Sequence, residues 1–204
     1  MSIPQKLIKN QRRIGLTGGI ASGKSTITNY IRTHTKIRIL DADNLSRELI
    51  KPTTSVYKKV LDYFGNQIID KYSSEKAINR KMLKNIIFED KKDREWIQKL
   101  LHPLIKEKMI EGCNQYKNNE IILLVVPLLF EAKFEDICTE ICLVKCPKEN
   151  QLKRLIKRDE ISEKKASKII NLQLNFEEKT KFSDVILDNS DDKNQWINKI
   201  KELI

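Results

Sequence analysis

Several residue types are scarce in this 204-residue chain, and each scarcity excludes a class of site. Its four cysteines, Cys113, Cys138, Cys142 and Cys146, form no Cys-x-x-Cys pair, and neither of the two histidines lies near them in sequence. We therefore expect no zinc site and interpret the cysteines as reduced thiols packed inside an intracellular protein. Aromatic residues make up only 6% of the chain, which leaves few side chains for stacking on nucleic-acid bases.

Long apolar runs are also missing. The most apolar stretch, IILLVVPLLF at residues 121–130, is too short to span a bilayer. Residues 1–13 are basic but contain no apolar core of the length found in signal peptides. We therefore predict a soluble, cytoplasmic protein with no membrane partner.

Positive charge is in excess, with a formal net charge of +11. Such a charge favours acidic partners, either nucleic acids or phosphorylated small molecules. The lysines are spread along the whole chain, and no block of five or six like charges occurs. Together with the shortage of aromatic residues, this spread predicts no nucleic-acid partner.

Short apolar stretches alternate with helical patterns along the chain. Continuous apolar runs are typical of strands that are buried on both faces of a parallel sheet. The five predicted strands are residues 12–17, 36–43, 120–126, 140–146 and 183–189. This alternation predicts an α/β fold with a parallel five-stranded sheet, flanking helices and a helical insertion after the second strand.

A proline interrupts the helical pattern of that insertion. Trp96 and Ile105 mark the two ends of an apolar stripe that contains Pro103. Proline disfavours helical backbone at the preceding residue and is well accepted in the first turn of a helix. We therefore predict that one helix ends at His102 and that another begins at Pro103.

Residues 18–25, GGIASGKS, complete the pattern G-x-x-x-x-G-K-[ST] between a predicted strand and a predicted helix. Glycines let backbone N–H groups turn toward phosphate oxygens, and the helix adds its positive N-terminal end. In this pattern Lys24 contacts the β and γ phosphates and the Ser25 hydroxyl ligates Mg²⁺. The fold is therefore predicted to be of the P-loop NTPase type. The predicted nucleotide-binding residues of the loop are Gly18, Gly19, Ile20, Ala21, Ser22, Gly23, Lys24, Ser25 and Thr26.

Two aspartates lie at the end of the second predicted strand. Asp41 and Asp43 are expected at the carboxyl edge of the sheet, near the loop, where ligands bind in this fold. A carboxylate there can accept a proton from an attacking hydroxyl or hold the water shell of a metal ion. The alternative, that they cap the next helix, is stronger for Asp43 than for Asp41.

The ordered motifs resemble the dephospho-coenzyme A kinase family over nearly the full length of the chain. The loop alone is shared by many kinases, whereas the ordered set is more specific. The matching stretches are GLTGGIASGKST (15–26), DADNLSRE (41–48), FG (64–65), LHP (101–103), VPLLFE (126–131), QLKRLIKRD (151–159), Q (173), EEK (177–179) and DVILDNS (184–190). The resemblance implies Mg²⁺-dependent transfer of the ATP γ-phosphate to the ribose 3′-hydroxyl of dephospho-coenzyme A, which gives coenzyme A and ADP in the last step of coenzyme A biosynthesis.

The resemblance also implies three parts within one kinase domain, residues 1–204. They are a nucleotide-binding core (12–41, 119–147 and 183–204), a helical acceptor-binding region (42–118) and a mobile lid (148–182).

The family roles fall on particular residues of this chain. The implied catalytic residues are Asp41 as general base, Lys24 and Arg154. Further ATP contacts are implied for Arg158, Asp188 and Asn189. The implied acceptor-binding residues are Asp43, Arg47, His102, Pro127 and Leu128.

Some positions have a plainer interpretation or depart from the family. Arg154 and Arg158 are spaced as on an ordinary solvated helix face, His102 is placed to cap a helix, and Leu128 is of a type common in cores. Ala21 stands where the family usually has glycine, and a left-handed backbone there costs an alanine about 1 kcal/mol. Thr180 and Phe182 replace residues that are often basic.

Two other functions stay open from the residues alone. Another small-molecule kinase, of the sugar or shikimate type, needs the loop and the aspartate but not the LHP and VPLLFE stretches. A nucleic-acid-dependent nucleotide hydrolase would account for the net charge but calls for an acidic magnesium motif that the sequence does not show.

Overall fold

The computed structural model describes residue 7 and residues 10–116, 120–191 and 193–204. Most of the N-terminal stretch, for which we predict no signal peptide, lies outside these residues.

The predicted strands form one all-parallel five-stranded sheet, which confirms the predicted fold class. The strands are β1 (Arg12–Gly18), β2 (Arg38–Asp41), β3 (Ile121–Val125), β4 (Glu140–Lys145) and β5 (Val185–Asp188). Their order across the sheet is β2-β3-β1-β4-β5, so β1 lies in the centre and pairs with β3 and β4. Because the strands are parallel, all five carboxyl ends lie at the same edge.

Helices connect and flank the strands. They are α1 (Lys24–His34), α2 (Ala42–Leu49), α3 (Ser55–Phe64), α4 (Arg80–Glu89), α5 (Lys91–Asn114), α6 (Lys148–Asp159), α7 (Glu163–Ile170), α8 (Phe176–Thr180) and α9 (Lys193–Leu203).

The main core is formed by the sheet together with α1 and α9. Ile27 and Ile31, one helical turn apart on α1, and Trp196 and Ile200, spaced likewise on α9, are buried against the strands. The strand residues of this core are Ile14, Leu16, Leu123, Val125, Cys142, Val144 and Leu187. This packing fixes both ends of the segment that connects β1 to α1.

The described chain divides into two compact units. The sheet unit takes the described residues up to Asp41 and from Ile110 onward, and the helical unit is Ala42–Met109. In the helical unit, the side chains of Thr54 and Asn79 accept hydrogen bonds from the first turns of α3 and α4. The aromatic rings of Tyr63 and Trp96 stack with their centroids 3.9 Å apart.

Helix α5 continues through Pro103, so the predicted break at His102 is wrong. A proline inside a helix removes one backbone hydrogen bond and costs about 3 kcal/mol or more. The buried residues Ile97, Leu101 and Ile105 are spaced four apart on both sides of the proline, and an unbroken helix keeps all three on one buried face. His102 therefore lies inside the helix and does not cap a helix end.

The four cysteines are free thiols, consistent with the prediction. Burial raises the pKa of Cys138 and Cys142 to about 12 and that of Cys113 to about 11, so these thiols stay protonated at neutral pH. Over the ranges that the structure describes, no helix is both long enough and apolar enough to cross a bilayer.

Candidate active site

The G-x-x-x-x-G-K-[ST] segment lies at the carboxyl edge of the sheet, at its centre. β1 ends at Gly18, which pairs with Val144 of β4, and α1 begins at Lys24. The segment, which we call the phosphate loop (residues 18–26), therefore joins the central strand directly to the N-terminus of an 11-residue helix. Backbone N–H groups and a positive helix end are thus presented at one point, which suits an anion.

Gly23 is the residue at which the loop turns into the helix. Its φ of 97° lies in the region that favours glycine. A Cβ atom at this position would also lie 1.9 Å from the Nδ2 atom of Asn189. Both the backbone conformation and the packing therefore require glycine.

Ala21 has a positive φ of 58°. The Ser22 N–H donates to the Gly19 carbonyl over 3.1 Å, which closes a turn with Ala21 as its third residue. A positive φ at the third residue, as in type II turns, favours glycine. The expectation that alanine is strained at this position, if the backbone is left-handed there, is confirmed.

Lys24 folds back over the phosphate loop. Its Nζ atom donates to the carbonyl oxygens of Gly18 and Gly19, at 2.7 and 2.9 Å. The ammonium group is therefore held against the loop, on which the phosphates are expected. Ser25 and Thr26 follow in the first turn of α1 and are exposed.

Asn189, directly after β5, supports the loop from behind. Its Nδ2 atom donates to the Ser22 carbonyl over 2.9 Å, and its own N–H donates to the Lys145 carbonyl over 3.0 Å. Asn189 is buried, with 8% of its surface exposed. The structure thus gives this predicted ATP-binding residue a direct role in the shape of the loop.

Arg154, on α6, is brought to the same place. Its guanidinium lies 3.5 Å from the Ser22 carbonyl oxygen, 3.4 Å from the Asn189 carbonyl oxygen and 3.3 Å from Cys146 Sγ. These contacts are long for charged hydrogen bonds, so a phosphate group can compete for the guanidinium. Burial raises the pKa of the Cys146 thiol although Arg154 opposes this effect, and the thiol stays protonated.

Two further residues that were predicted to contact ATP form hydrogen bonds with neighbouring residues. Arg158 makes two hydrogen bonds with the carboxylate of Asp159, at 2.8 and 3.1 Å, and is not brought to the phosphate loop. Asp188 accepts from Lys145 Nζ over 2.8 Å and from the Ser190 N–H over 3.0 Å. Burial alone would raise the pKa of Asp188, but these hydrogen bonds outweigh burial, and the pKa lies below its ordinary value.

Two glutamines also contact the phosphate loop. A Cβ atom on Gly19 would lie 2.5 Å from Gln151 Oε1, so this side chain packs directly on the loop. Gln173 Oε1 accepts a hydrogen bond from the Ile20 N–H over 2.7 Å. Gln151 and Gln173 also line a cavity of about 570 Å³ beside Gly19. The sequence analysis assigned no role to either glutamine, although both fall in stretches that match the family: Gln151 begins QLKRLIKRD (151–159), and Gln173 is a single-residue match.

Asp41 is the last residue of β2 and pairs with Val125 of β3. β3 lies between β2 and β1, so Asp41 is two strand spacings, about 10 Å, from the strand that carries the phosphate loop. Asp41 thus lies at the same carboxyl edge as the loop, but the strand that carries Asp41 is not adjacent to the strand that carries the loop.

The segment after β3 runs alongside the end of β1. The Val126 N–H donates to the Leu16 carbonyl over 3.0 Å, and Thr17 Oγ1 donates to the Pro127 carbonyl over 3.3 Å. Leu128 is half-buried, whereas Leu129 is fully buried and belongs to the core.

The remaining predicted acceptor residues belong to the helical unit. Asp43 and Arg47 lie one turn apart on α2, and His102 is half-buried on α5. Arg80, at the start of α4, is close enough to both α2 side chains to interact with them electrostatically. Its pKa is lowered mainly by burial and further by Arg47, while Asp43 opposes the change. No spacing signal in the sequence pointed to Arg80.

The residues at this edge fit Mg²⁺ held together with a nucleotide. In the described part of the chain, no group of three or more His, Cys, Asp or Glu side chains could hold a metal by itself. Mg²⁺ in kinases is bound by few protein oxygens and by substrate phosphates. The Ser25 hydroxyl, next to Lys24 in the first turn of α1, is an oxygen ligand of the required kind.

Comparisons with known proteins identify the family of the chain. A family model described as dephospho-CoA kinase matches residues 12–195. A dephospho-CoA kinase from Prochlorococcus marinus strain MIT 9312 is 75% identical over 205 residues, and one from P. marinus subsp. pastoris is 68% identical over 204 residues; both alignments cover 100% of each chain. The solved dephospho-CoA kinase from Campylobacter jejuni has a TM-score of 0.67 at 26% identity and covers 95% of this chain and 97% of its own. This chain belongs to the dephospho-CoA kinase family.

Proposed function

We propose that this protein transfers the γ-phosphate of ATP to the ribose 3′-hydroxyl of dephospho-CoA, giving CoA and ADP. Membership of the family supports both substrates. The observation that carries the proposal is the convergence of Lys24, Arg154 and the N-terminus of α1 on one loop. Asp41 ends a strand at the same edge of the sheet.

The phosphate loop binds the triphosphate of ATP. The N–H groups of the loop contact phosphate oxygens, apart from those of Ile20 and Ser22, which donate to Gln173 and Gly19. The Lys24 ammonium leaves the carbonyls of Gly18 and Gly19 to contact the β and γ phosphates. Arg154 leaves the carbonyl oxygens of Ser22 and Asn189 and binds the phosphoryl group that is being transferred. An arginine in this position stabilises the negative charge of the transition state. Arg158 and Asp188 are proposed to contact ATP as well, and Asn189 to hold the loop that does so.

Ser25 is the residue proposed to hold Mg²⁺. When bound, the ion neutralises charge on the β and γ phosphate oxygens. The Ser25 hydroxyl, in the first turn of α1 next to Lys24, would supply one oxygen ligand to the ion.

Asp41 is proposed to orient the acceptor hydroxyl and to take its proton. A carboxylate is ionised at neutral pH and can accept a proton. Because β3 lies between β2 and β1, a hydroxyl and a phosphoryl group bound at the carboxyl edge would span the interval of about 10 Å between the base and the loop strand. Asp41 therefore suits the acceptor side of the reaction better than direct contact with the triphosphate.

Asp43, Arg47 and His102 of the helical unit are proposed to bind the acceptor nucleoside. Pro127 and Leu128 of the sheet unit are also proposed acceptor-binding residues. His102→Ala is expected to raise the acceptor KM while leaving the ATP Kd unchanged. Unchanged acceptor kinetics would remove His102 from the site.

Residues 148–182 are proposed to act as a lid that closes when both substrates are bound. Closure excludes water, so that transfer to the acceptor is favoured over hydrolysis of ATP. Limited proteolysis within this segment should slow when ATP and dephospho-CoA are present together. Cleavage that is indifferent to both ligands would argue against a moving lid.

The proposal is tested by ADP formation with a panel of acceptors. Dephospho-CoA should support turnover, whereas shikimate, simple sugars, RNA and DNA should not. ADP formation with another acceptor while dephospho-CoA is inert would replace the proposal by a different kinase. Stimulation by RNA or DNA would favour a nucleic-acid-dependent hydrolase. A cytoplasmic location and the lack of a nucleic-acid partner stay predictions.

A further inference from the structure

We propose that Gln173 is a positioning residue that holds the phosphate loop in its nucleotide-binding shape, and that the buried ion pair of Glu131 and Lys179 fixes Gln173 in place. This inference rests on the proposed binding of ATP by the loop. It assigns a role to three residues that lie outside the loop and outside the proposed reacting groups.

Gln173 forms its hydrogen bond with the phosphate loop directly before the left-handed residue Ala21. The Ile20 N–H donates to Gln173 Oε1 over 2.7 Å, across 153 residues of sequence. Ile20 directly precedes Ala21, whose φ is 58°, and both residues lie inside the turn closed by Gly19 and Ser22. The contact therefore restrains the Gly19–Ile20 peptide, one residue before Ala21, whose left-handed backbone is unfavourable for alanine.

Gln173 is itself held by its chain neighbours. The Leu174 N–H donates to Glu131 Oε1 over 3.0 Å, and Asn171 Oδ1 accepts from Lys148 Nζ over 2.8 Å. At the start of α8, Asn175 forms a reciprocal capping box with Glu178. The turn at residues 171–175 is thus tied down before and after the glutamine.

The ion pair is the strongest part of this anchor. Lys179 Nζ lies 2.9 Å from Glu131 Oε1, the oxygen that also accepts from Leu174, although the ammonium is not aligned for a hydrogen bond. Only 1% of the Lys179 side chain is exposed. Separating the pair would leave a buried charge without its partner, so the link between the segment after β3 and α8 is hard to break.

The hydrogen bond affects the apparent Kd of ATP because it changes how often the loop is in its binding shape. If the loop is in its binding shape for a fraction f of the time, the apparent Kd is the intrinsic Kd divided by f. The strain at Ala21 lowers f, and the hydrogen bond to Gln173 raises it. Loss of that bond is therefore expected to weaken ATP binding without changing the reacting groups.

The first test is the Kd of MgATP, measured by titration calorimetry without any acceptor. Gln173→Met keeps the length of the side chain but loses the acceptor oxygen. The Kd is expected to rise about 3- to 10-fold, as a net hydrogen-bond contribution of about 0.7 to 1.4 kcal/mol implies. The matched control is Gln195→Met, the same change at an exposed glutamine on α9, which should leave the Kd unchanged.

A double-mutant cycle separates positioning from general support of the fold. In an Ala21→Gly background the strain is relieved, so Gln173→Met should raise the Kd by less than it does in the wild type. An equal rise in both backgrounds would overturn the link to the strained turn. A lower Tm with an unchanged Kd would show that Gln173 is merely structural.

The role of the Glu131–Lys179 pair is tested with two double variants. In each of them both positions are neutral, so that no buried charge is left without a partner. Glu131→Gln with Lys179→Met keeps an oxygen for the Leu174 N–H but loses the ion pair, so its Kd should rise by less than that of a double variant that loses both. A Kd equal to that of the wild type would overturn the role of the ion pair. Glu131→Met with Lys179→Met loses that oxygen, and its Kd should rise as in Gln173→Met. Equal affinities in the two double variants would overturn the role of Glu131. Because the readout is ATP affinity alone, a wild type that binds ATP but does not phosphorylate dephospho-CoA would contradict the proposed function and not this inference.

Discussion

Ala21→Gly is expected to stabilise the protein, although most substitutions in a functional loop destabilise. With φ at 58°, Ala21 has a left-handed backbone, which costs an L-residue about 1 to 2 kcal/mol. Glycine removes this cost but gives the unfolded chain more freedom, which offsets about 0.4 to 1 kcal/mol. The expected net gain in the free energy of unfolding is about 0.8 kcal/mol, the centre of a range of about 0 to 1.6 kcal/mol. For a chain of this length, that gain corresponds to a rise in Tm of about 1 to 4 °C.

The assay is urea unfolding together with a thermal melt. Lys76→Gly is a matched control because Lys76 is exposed and has a φ of 55°. Both variants should gain stability, but only Ala21→Gly should change the Kd of MgATP. A Tm for Ala21→Gly that is below that of the wild type would refute the argument from backbone strain.

Three further substitutions have expected outcomes. Asp41→Asn should keep the fold and the ATP Kd but lower kcat by about 10²- to 10⁴-fold, and near-normal turnover would make Asp43 the next candidate base. Arg154→Ala should slow transfer by roughly 10³-fold or more, measured at saturating substrates, and by more than Arg158→Ala, because only Arg154 reaches the phosphate loop in this structure. Asp188→Asn should lower the free energy of unfolding at neutral pH. The lowered pKa of Asp188 means that its ionised form stabilises the fold above the unfolded-state pKa of about 4, and that this contribution is lost as pH falls through the folded-state pKa. The difference between wild type and Asp188→Asn should therefore shrink below about pH 4 in urea titrations, and a constant difference would contradict this linkage.

The strands and the phosphate loop are predictable from sequence because their signals are local. Each strand is a short apolar run, and the loop has fixed residue types at fixed spacing. The order of strands in the sheet is not local information, so the separation of Asp41 from the loop by β3 could not be predicted. The predicted break of the helix at Pro103 was wrong, because burial on both sides of the proline outweighed its local preference.

The side-chain contacts between residues far apart in sequence could not be predicted. Asn189 contacts Ser22 across 167 residues, and no spacing rule predicts such a pair. Arg154 and Arg158 have the spacing of one helix face, yet only Arg154 reaches the phosphate loop, because Arg158 pairs with the adjacent Asp159. The choice between them depends on three-dimensional packing and not on residue type.

The most direct measurement of the central claim is the position of the transferred phosphate. The purified protein would be incubated with ATP, Mg²⁺ and dephospho-CoA, and the product identified by phosphorus NMR and mass spectrometry. The account predicts one new phosphomonoester on the ribose 3′-oxygen, formed in equal amount with ADP, and no product from an acceptor that lacks the 3′-hydroxyl. Phosphorylation at another position, or equal turnover with the 3′-deoxy acceptor, would contradict it.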